Sequence, residues 1–417
     1  MNIVLLHYSA PPIVGGVESV LAHHARLMSD AGHAVRILAA RGDPRTGKIG
    51  FLRLPLADSL HPDVLAVKKE LDAGRIPPAY EILVNRLAGQ LRPALENADI
   101  LIAHNVCSLN KNLALTGALH RLYREQGFPQ LILWHHDLAW TTPRYLPELH
   151  DGRPWDLLRS DWPGATHVAI SALRQRELSE LTGLLPETIP VVPNGIHVDE
   201  FLKLEDRTIG LLLRLDLLQA SPFLLLPVRI TSRKNLELAL GTLASLRKDF
   251  PAAAMVVTGP VGAHNPDNRK YFQDLLILRR KLGLDSAAFF LAELEDDPLP
   301  DSVIADFYRL SDALFLPSRE EGFGIPLLEA GLGHRPVFCS DLPALRELGG
   351  DSVMYFSPED APNQVASLIA GHLQNDPVFH LAEKVRREFE WGRIYRNHID
   401  PLLTIVRNRT AIQGDES

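Results

Sequence analysis

Cysteine is scarce: the 417 residues hold only Cys107 and Cys339, too far apart in sequence to suggest a disulfide framework. That scarcity fits a reduced, cytoplasmic protein. No apolar run reaches the roughly 18 residues that a spanning helix requires, so no transmembrane segment is expected. Met1–His7 lacks a basic start and its apolar run is short, so it does not read as a signal peptide. Neither half is basic. The net charge is −8, and the first 200 residues, with 19 basic and 21 acidic side chains, account for −2 of it. A nucleic-acid surface is therefore not expected. There is no internal repeat, and no low-complexity stretch beyond the polar tail Gly414–Ser417.

Several chemical signatures are missing as well. No His-Glu-x-x-His or Cys-x-x-Cys occurs, and the histidine pairs His23-His24 and His135-His136 are adjacent, so neither pair shares one face of a helix or strand. No metal is expected. The first strand–helix junction lacks Gly-x-Gly-x-x-Gly, which argues against a nicotinamide dehydrogenase. Gly42–Lys48 fits the first seven positions of a phosphate-binding P-loop, but Ile49 stands where Ser or Thr must hold magnesium, so a solvated turn is the better reading.

Short, nearly continuous apolar runs alternate with amphipathic stretches from end to end. This is the pattern of β–α repeats around parallel sheets covered on both faces. Strands are expected at Asn2–His7, Ala34–Ala39, Gly50–Pro55, Ile100–Ala103, Leu131–Trp134, His167–Ile170 and Pro190–Val192. A second series is expected at Phe223–Val228, Ala254–Thr258, Ala288–Leu291, Ala313–Leu316, Pro336–Cys339 and Val353–Phe356. The division expected is a Rossmann-like acceptor domain over 1–205, a linker over 206–221, a Rossmann-like donor domain over 222–389, and a C-terminal helix over 390–417 returning to the first domain. Two doubly wound α/β domains of this kind place their ligands at the carboxyl ends of the strands.

The segment Pro317-Ser318-Arg319-Glu320-Glu321-Gly322-Phe323-Gly324-Ile325-Pro326-Leu327-Leu328-Glu329 carries the strongest chemical signal. It joins a strand to a helix begun by Pro326, and its glycines open backbone N–H groups to a ligand. A helix N-terminus so exposed binds phosphate without a basic side chain. Glu321 and Glu329 add two carboxylates, one in the loop and one a turn inside the helix. The plain alternative is a glycine turn with two surface carboxylates. Val228-Arg229-Ile230-Thr231-Ser232-Arg233-Lys234-Asn235 follows the first strand of the second series. Arg229 and Lys234 there supply two cations for a diphosphate, the alternative being a solvated basic loop with Asn235 capping the next helix.

Glu321-x7-Glu329 with Gly-Phe-Gly between, together with Arg229-x4-Lys234, resembles the retaining glycosyltransferases of family 4, which have the GT-B fold. Gly15-Gly16-Val17-Glu18 is similar to that family's first glycine loop. Val192–His197 with Phe201, Asp312–Ser318 and Gly333–Val337 add further landmarks in order. The resemblance implies a nucleotide-sugar donor and a hydroxyl acceptor, with no metal or other cofactor required. It implies that Glu329 binds the ribose, that Arg229 and Lys234 hold the diphosphate, and that Gly15 and Gly16 run along it. Glu321, with the amides of Gly322, Phe323, Gly324 and Ile325, would hold the transferred hexose. A histidine after the strand Leu131–Trp134 lies near the reacting sugar, with His136 favoured over His135. By analogy the reaction is front-side substitution, with a donor phosphate oxygen taking the acceptor proton.

Residues 134–162 depart most from the family pattern. They hold Trp134, Trp140, Trp155 and Trp162 with Arg144, Arg153 and Arg159 among prolines. Trp140, Arg144 and His135 are expected to meet the acceptor from such a loop, against the plainer reading of a loop packed on its own domain. Two rivals stand beside the transferase: a GT-B sugar phosphorylase of the trehalose-phosphorylase-like type, and a non-catalytic nucleotide- or carbohydrate-binding protein.

Overall fold

The computed structural model describes residues 1–43, 47–262, 266–295 and 297–414. Part of the Gly42–Ile49 turn and the last three residues of the tail lie outside them. The chain divides into two compact units, Met1–Gly195 with the segment from Trp391 onwards, and Ile196–Glu390.

The first unit holds a six-stranded parallel sheet of β1 (Asn2–Leu6), β2 (Ala34–Ala39), β3 (Gly50–Arg53), β4 (Ile100–His104), β5 (Gln130–His135) and β6 (Thr166–Ala169). Its order is β3-β2-β1-β4-β5-β6. The second unit holds β7 (Phe223–Leu226), β8 (Ala254–Val257), β9 (Ala288–Phe290), β10 (Ala313–Leu316), β11 (Val337–Ser340) and β12 (Met354–Phe356), also all parallel. Read by position within each unit, both sheets run 3-2-1-4-5-6. Each is a doubly wound sheet whose direction of winding reverses between its first and fourth strands. Ligands of such sheets bind beyond the strand ends at that reversal. The central strands are buried on both faces, which is why their sequences read as continuous apolar runs.

In the first unit, two apolar clusters cover the two faces of the sheet. The face carrying Ile3, Leu5, Ile100 and Trp134 is completed by Trp391, Ile394, Ile399, Leu403 and Val406 from the far end of the chain. Each fully buried aliphatic side chain there contributes about 1.5–3 kcal/mol of transfer free energy. The expected single helix after Trp391 has a wider turn within it: Trp391–Ile394 is α-helical, Tyr395–Ile399 is a π-turn, and Asp400–Gly414 is α-helical.

Two expectations are corrected. Pro190–Val192 makes only an isolated bridge, Ala169 with Val191, because Pro190 has no N–H and Pro193 ends the run. Residues 206–221 are not a linker. Asp206–Leu215 is a helix ended by Asp216 in the left-handed region, followed by the turn Leu217–Gln219. Leu211, Leu212 and Leu217 belong to the core of the second unit. The Thr208 hydroxyl donates to Asp306 at 2.6 Å, and the Glu205 N–H to the same carboxylate at 2.9 Å. The unit boundary accordingly falls after Gly195 rather than at 205.

Candidate active site

The second unit gathers its site at the reversal between β7 and β10. The loop after β7 ends in a short 3-10 turn, Ser232–Lys234, and the loop after β10 runs into the helix Ile325–Leu332. The Arg319 N–H donates to the Arg233 carbonyl at 2.8 Å, and the Arg319 guanidinium donates to the Asn235 side chain at 2.8 Å, so the two loops are fastened together. Asn235 adopts the left-handed region, which its short polar side chain tolerates, and its amide donates to the Pro358 carbonyl at 3.1 Å. Its side chain makes no capping bond to the following helix.

The Lys234 ammonium donates to Glu321 Oε1, and both side chains are only 9% exposed. Ser318 Oγ donates to the same carboxylate oxygen at 2.8 Å. The carboxylate thus fixes the ammonium while leaving its other N–H bonds for a ligand. Arg229 is exposed, and among the described residues it has no hydrogen-bond or ion-pair partner. Gly324, at φ +104°, begins the helix; a Cβ there would stand 2.6 Å from Leu345 Cδ2, so the turn admits only glycine. Gly322, Phe323 and Ile325 are exposed beside it. In its first turn Pro326 has no N–H and the Leu327 N–H donates to the Gly324 carbonyl at 3.0 Å, which leaves the Ile325 N–H at the partly positive start of the helix.

Glu329 lies one turn inside the same helix. Its Oε2 accepts from the Tyr308 hydroxyl at 2.6 Å. Burial and the neighbouring carboxylate push the Tyr308 hydroxyl far above its ordinary range, so it stays a donor. Sequence reasoning missed Tyr308, which comes from the separate helix Asp301–Leu310 and carries no motif. Ser318 lay within the quoted motif, but spacing gave no hint of its bond to Glu321.

In the first unit the reversal falls between β1 and β4. The loop after β1 reaches Gly15 and enters the helix Gly16–Asp30. Glu18, in its first turn, folds back beneath the loop, where its Oε1 accepts from Ser9 Oγ at 2.5 Å and lies 3.8 Å from His7 Nε2. A Cβ on Gly15 would meet Glu18 Oε2 at 2.1 Å, so any larger residue there would have to displace the Glu18 carboxylate. Gly16 has open space around it, so packing does not explain that glycine.

His135 and His136 take different surroundings. His135 lies between Ser108 Oγ, 2.6 Å from its Nδ1, and His167 Nδ1, 3.1 Å from its Nε2, with the two imidazoles stacked. Both its nitrogens are thus held inside the unit, and an acceptor role is not what this position offers. His136 Nε2 lies 3.1 Å from His104 Nδ1, and its backbone N–H donates to Asn105 Oδ1 at 2.8 Å. Burial, then the neighbouring His7, lowers His136 to about 3, leaving it neutral. His7 in turn stands against Glu18 and donates through Nδ1 to the His104 carbonyl at 2.8 Å. His136 therefore belongs to the group around the glycine loop, and His135 does not.

The tryptophan loop is corrected towards packing. Trp134, Trp155 and Trp162 are buried. Trp140 is half-buried, and the Arg159 guanidinium covers one face at 3.9 Å. Arg159 itself pairs with Asp151 and Asp156. Arg144 is exposed and lies over the Tyr145 ring at 4.7 Å. The rings serve as core because each finds a face of its own unit to cover, leaving no aromatic platform. Among the described residues no three His, Cys, Asp or Glu side chains are grouped to hold a metal ion. No helix of the described residues is long and apolar enough to cross a membrane.

Residues 216–388 match the family Glycosyl transferases group 1, and residues 14–200 match Glycosyltransferase Family 4. The chain is similar to a mannosylglucosylglycerate synthase of Petrotoga mobilis, with 27% identity over 60% of this chain and 61% of that protein. The match thus spans about three fifths of that relative's length. It is also similar to a D-inositol 3-phosphate glycosyltransferase 1 of Catenulispora acidiphila, with 25% identity over 93% of this chain and 91% of that one. Among solved structures, a sucrose-phosphate synthase from Thermosynechococcus elongatus covers 99% of both chains at 14% identity and a TM-score of 0.37.

Proposed function

The chain belongs to the glycosyltransferases of group 1 and family 4, and we propose that it is a hexosyltransferase that retains configuration. The donor is a nucleoside diphosphate sugar, carrying uridine or guanosine, and the acceptor is a hydroxyl of a sugar-containing or small polar molecule. The observation that carries this reading is the Lys234–Glu321 pair at the reversal of the second sheet, with Arg229 free beside it and Glu329 held by Tyr308.

Each group then has a task. Lys234 and Arg229 neutralise the diphosphate as the bond from its oxygen to the hexose anomeric carbon breaks. The acceptor oxygen forms its bond to that carbon on the same face, and its proton passes to a donor phosphate oxygen. Amides at the start of Ile325–Leu332 add fixed dipoles where charge develops, the kind of preorganisation that usually supplies the largest share of the rate. Glu321 orients Lys234 and receives a hexose hydroxyl, and Glu329 receives the ribose hydroxyls. In the first unit, His136 is neutral and the backbone at Gly16 is open to a ligand. Because these groups offset the leaving-group charge, the reaction is proposed to need no metal.

A small polar acceptor is supported by the names of the two relatives, one for a glycerate glycoside and the other for inositol 3-phosphate. The working compartment is proposed to be the cytoplasm, where nucleotide sugars and reduced thiols coexist. Incubation with UDP-, GDP- and ADP-sugars, with nucleotide release as the readout and the product anomer read by NMR, tests the whole reading. Turnover with the donor's anomeric configuration kept is expected. Inverted product, or release that depends on inorganic phosphate, would overturn it.

A further inference from the structure

Of the three arginines in the 134–162 stretch, two are engaged: Arg144 lies on Tyr145, and Arg159 pairs with Asp151 and Asp156. Arg153 is exposed, and among the described residues it has neither hydrogen bond nor ion pair. Arg124, at the end of the helix Leu113–Tyr123, is exposed, and its guanidinium likewise has no partner among the described residues. Both arginines line one groove of about 880 Å³ in the first unit. Residues preceding β5 and β6 form much of its wall, which places it at the amino-terminal edge of the sheet. The loops carrying Gly15 and His136 lie at the opposite edge, because the strands are parallel.

The groove has an aromatic floor. Trp162 is buried there with its indole N–H donated to the Leu157 carbonyl at 3.1 Å, and His120 meets its ring edge to face at 4.9 Å. Tyr123 is fastened by its hydroxyl to the Pro163 carbonyl at 2.9 Å. His120 is held below its ordinary range by burial and then by Arg153 and Arg124. The two carboxylates on the wall are occupied elsewhere: Glu125 accepts from Arg92 at 2.7 Å, and Asp161 lies 3.5 Å from His167. Two guanidinium groups with free N–H forks on one groove match a tetrahedral oxyanion.

We propose that this groove binds a phosphate-bearing small molecule, Arg124 and Arg153 clamping the phosphate and the ring of Tyr123 lining the rest. The site shares no residue with the diphosphate cations of the second unit. The chemistry fits a hexose phosphate or a nucleoside monophosphate, with the partly exposed Tyr123 ring beside either.

The five tryptophans allow a local readout. The full chain labelled with 5-fluorotryptophan is titrated with pyrophosphate, glucose 6-phosphate and AMP, and the Trp162 line is assigned from Trp162→Phe. A saturable shift of that line is expected with at least one organic phosphate. The apparent affinity should fall about ten-fold or more in Arg124→Gln/Arg153→Gln, the loss expected for charged hydrogen bonds. It should persist in Arg124→Lys/Arg153→Lys and in Lys234→Ala. The arm with the largest shift decides between hexose phosphate and nucleotide. An unmoved Trp162 line, a shift retained in the double glutamine variant, or one lost in Lys234→Ala would each overturn the proposal. Both arginines are exposed, so the remaining fluorine lines serve to verify that the variants stay folded.

Discussion

Lys234 and Glu321 stand 87 positions apart in sequence and share one buried ion pair, with Ser318 bonded to the same carboxylate oxygen. The pair sets charge and geometry together. Lys234→Ala should lower kcat/KM by about 10²–10³, the loss seen when one preorganised charge-stabilising donor is removed. It also leaves the Glu321 carboxylate without its cation, so the melting temperature should fall. Lys234→Ala/Glu321→Ala should recover part of that loss, with a coupling of about 0.5–3 kcal/mol in a double-mutant cycle. Kinetics and thermal denaturation on the four proteins check both parts, and independent effects would separate the two residues.

Glu329 and Tyr308 form the second test. Glu329→Ala should raise the donor KM roughly ten-fold or more, as expected for losing hydrogen bonds to a charged group. Tyr308→Phe keeps the carboxylate but frees its orientation, so its effect should run the same way and be smaller. Steady-state kinetics with varied donor decide, and a kcat effect without a KM effect would point away from ribose binding.

The first unit should be acid-labile. His24 and His136 are lowered to about 3 and His167 to about 4, chiefly by burial, against 6.5 for the free side chain. Below about 6.5 the unfolded chain takes up protons that the folded unit cannot accept, so stability is full above that pH. It is lost progressively as the pH falls towards 4 and 3. Urea unfolding at pH 7.5, 6 and 5 should show a falling midpoint, followed by tryptophan fluorescence. Among the described residues all five tryptophans lie in the first unit, so the probe reports that unit.

Asp312 and Arg386 form a buried pair at 2.7 and 2.8 Å, and Asp312 also accepts from the Phe223 N–H at 2.8 Å. The pair ties the helix Pro377–Glu388 to the start of β10. Arg386→Met strands the aspartate and should cost about 3–5 kcal/mol. Arg386→Met/Asp312→Asn should recover much of it, because the uncompensated charge is gone. Chemical denaturation of the three proteins measures this directly.

How much of this could be read from sequence depended on where the information lay. The strands were legible because burial on both faces leaves continuous apolar runs, as at Ala313–Leu316. The two motif loops were legible because glycine and proline mark their turns. Asp206–Leu215 was not: Leu211 and Leu212 face the core, and the exposed Leu213 next to them extends the leucine run past the buried face. Tyr308 was hidden for another reason. Its partner Glu329 comes from a different helix, and no local pattern records a contact between elements. In the tryptophan loop, composition suggested a ligand surface where the rings satisfy their own unit. The difference between His135 and His136 needed Ser108, His167 and His104, which only the fold brings near.

The segment that finishes the first unit's core has a consequence for biosynthesis. Trp391, Ile394, Leu403 and Val406 close a face whose other side chains begin at Ile3. A ribosome would make the first unit almost entirely, then the whole second unit, before those residues emerged. The second unit is one unbroken stretch, Ile196–Glu390, and can fold as soon as it is out. The first must wait with an apolar face uncovered, the condition in which nascent chains recruit chaperones. The order of completion is therefore the reverse of the order of synthesis.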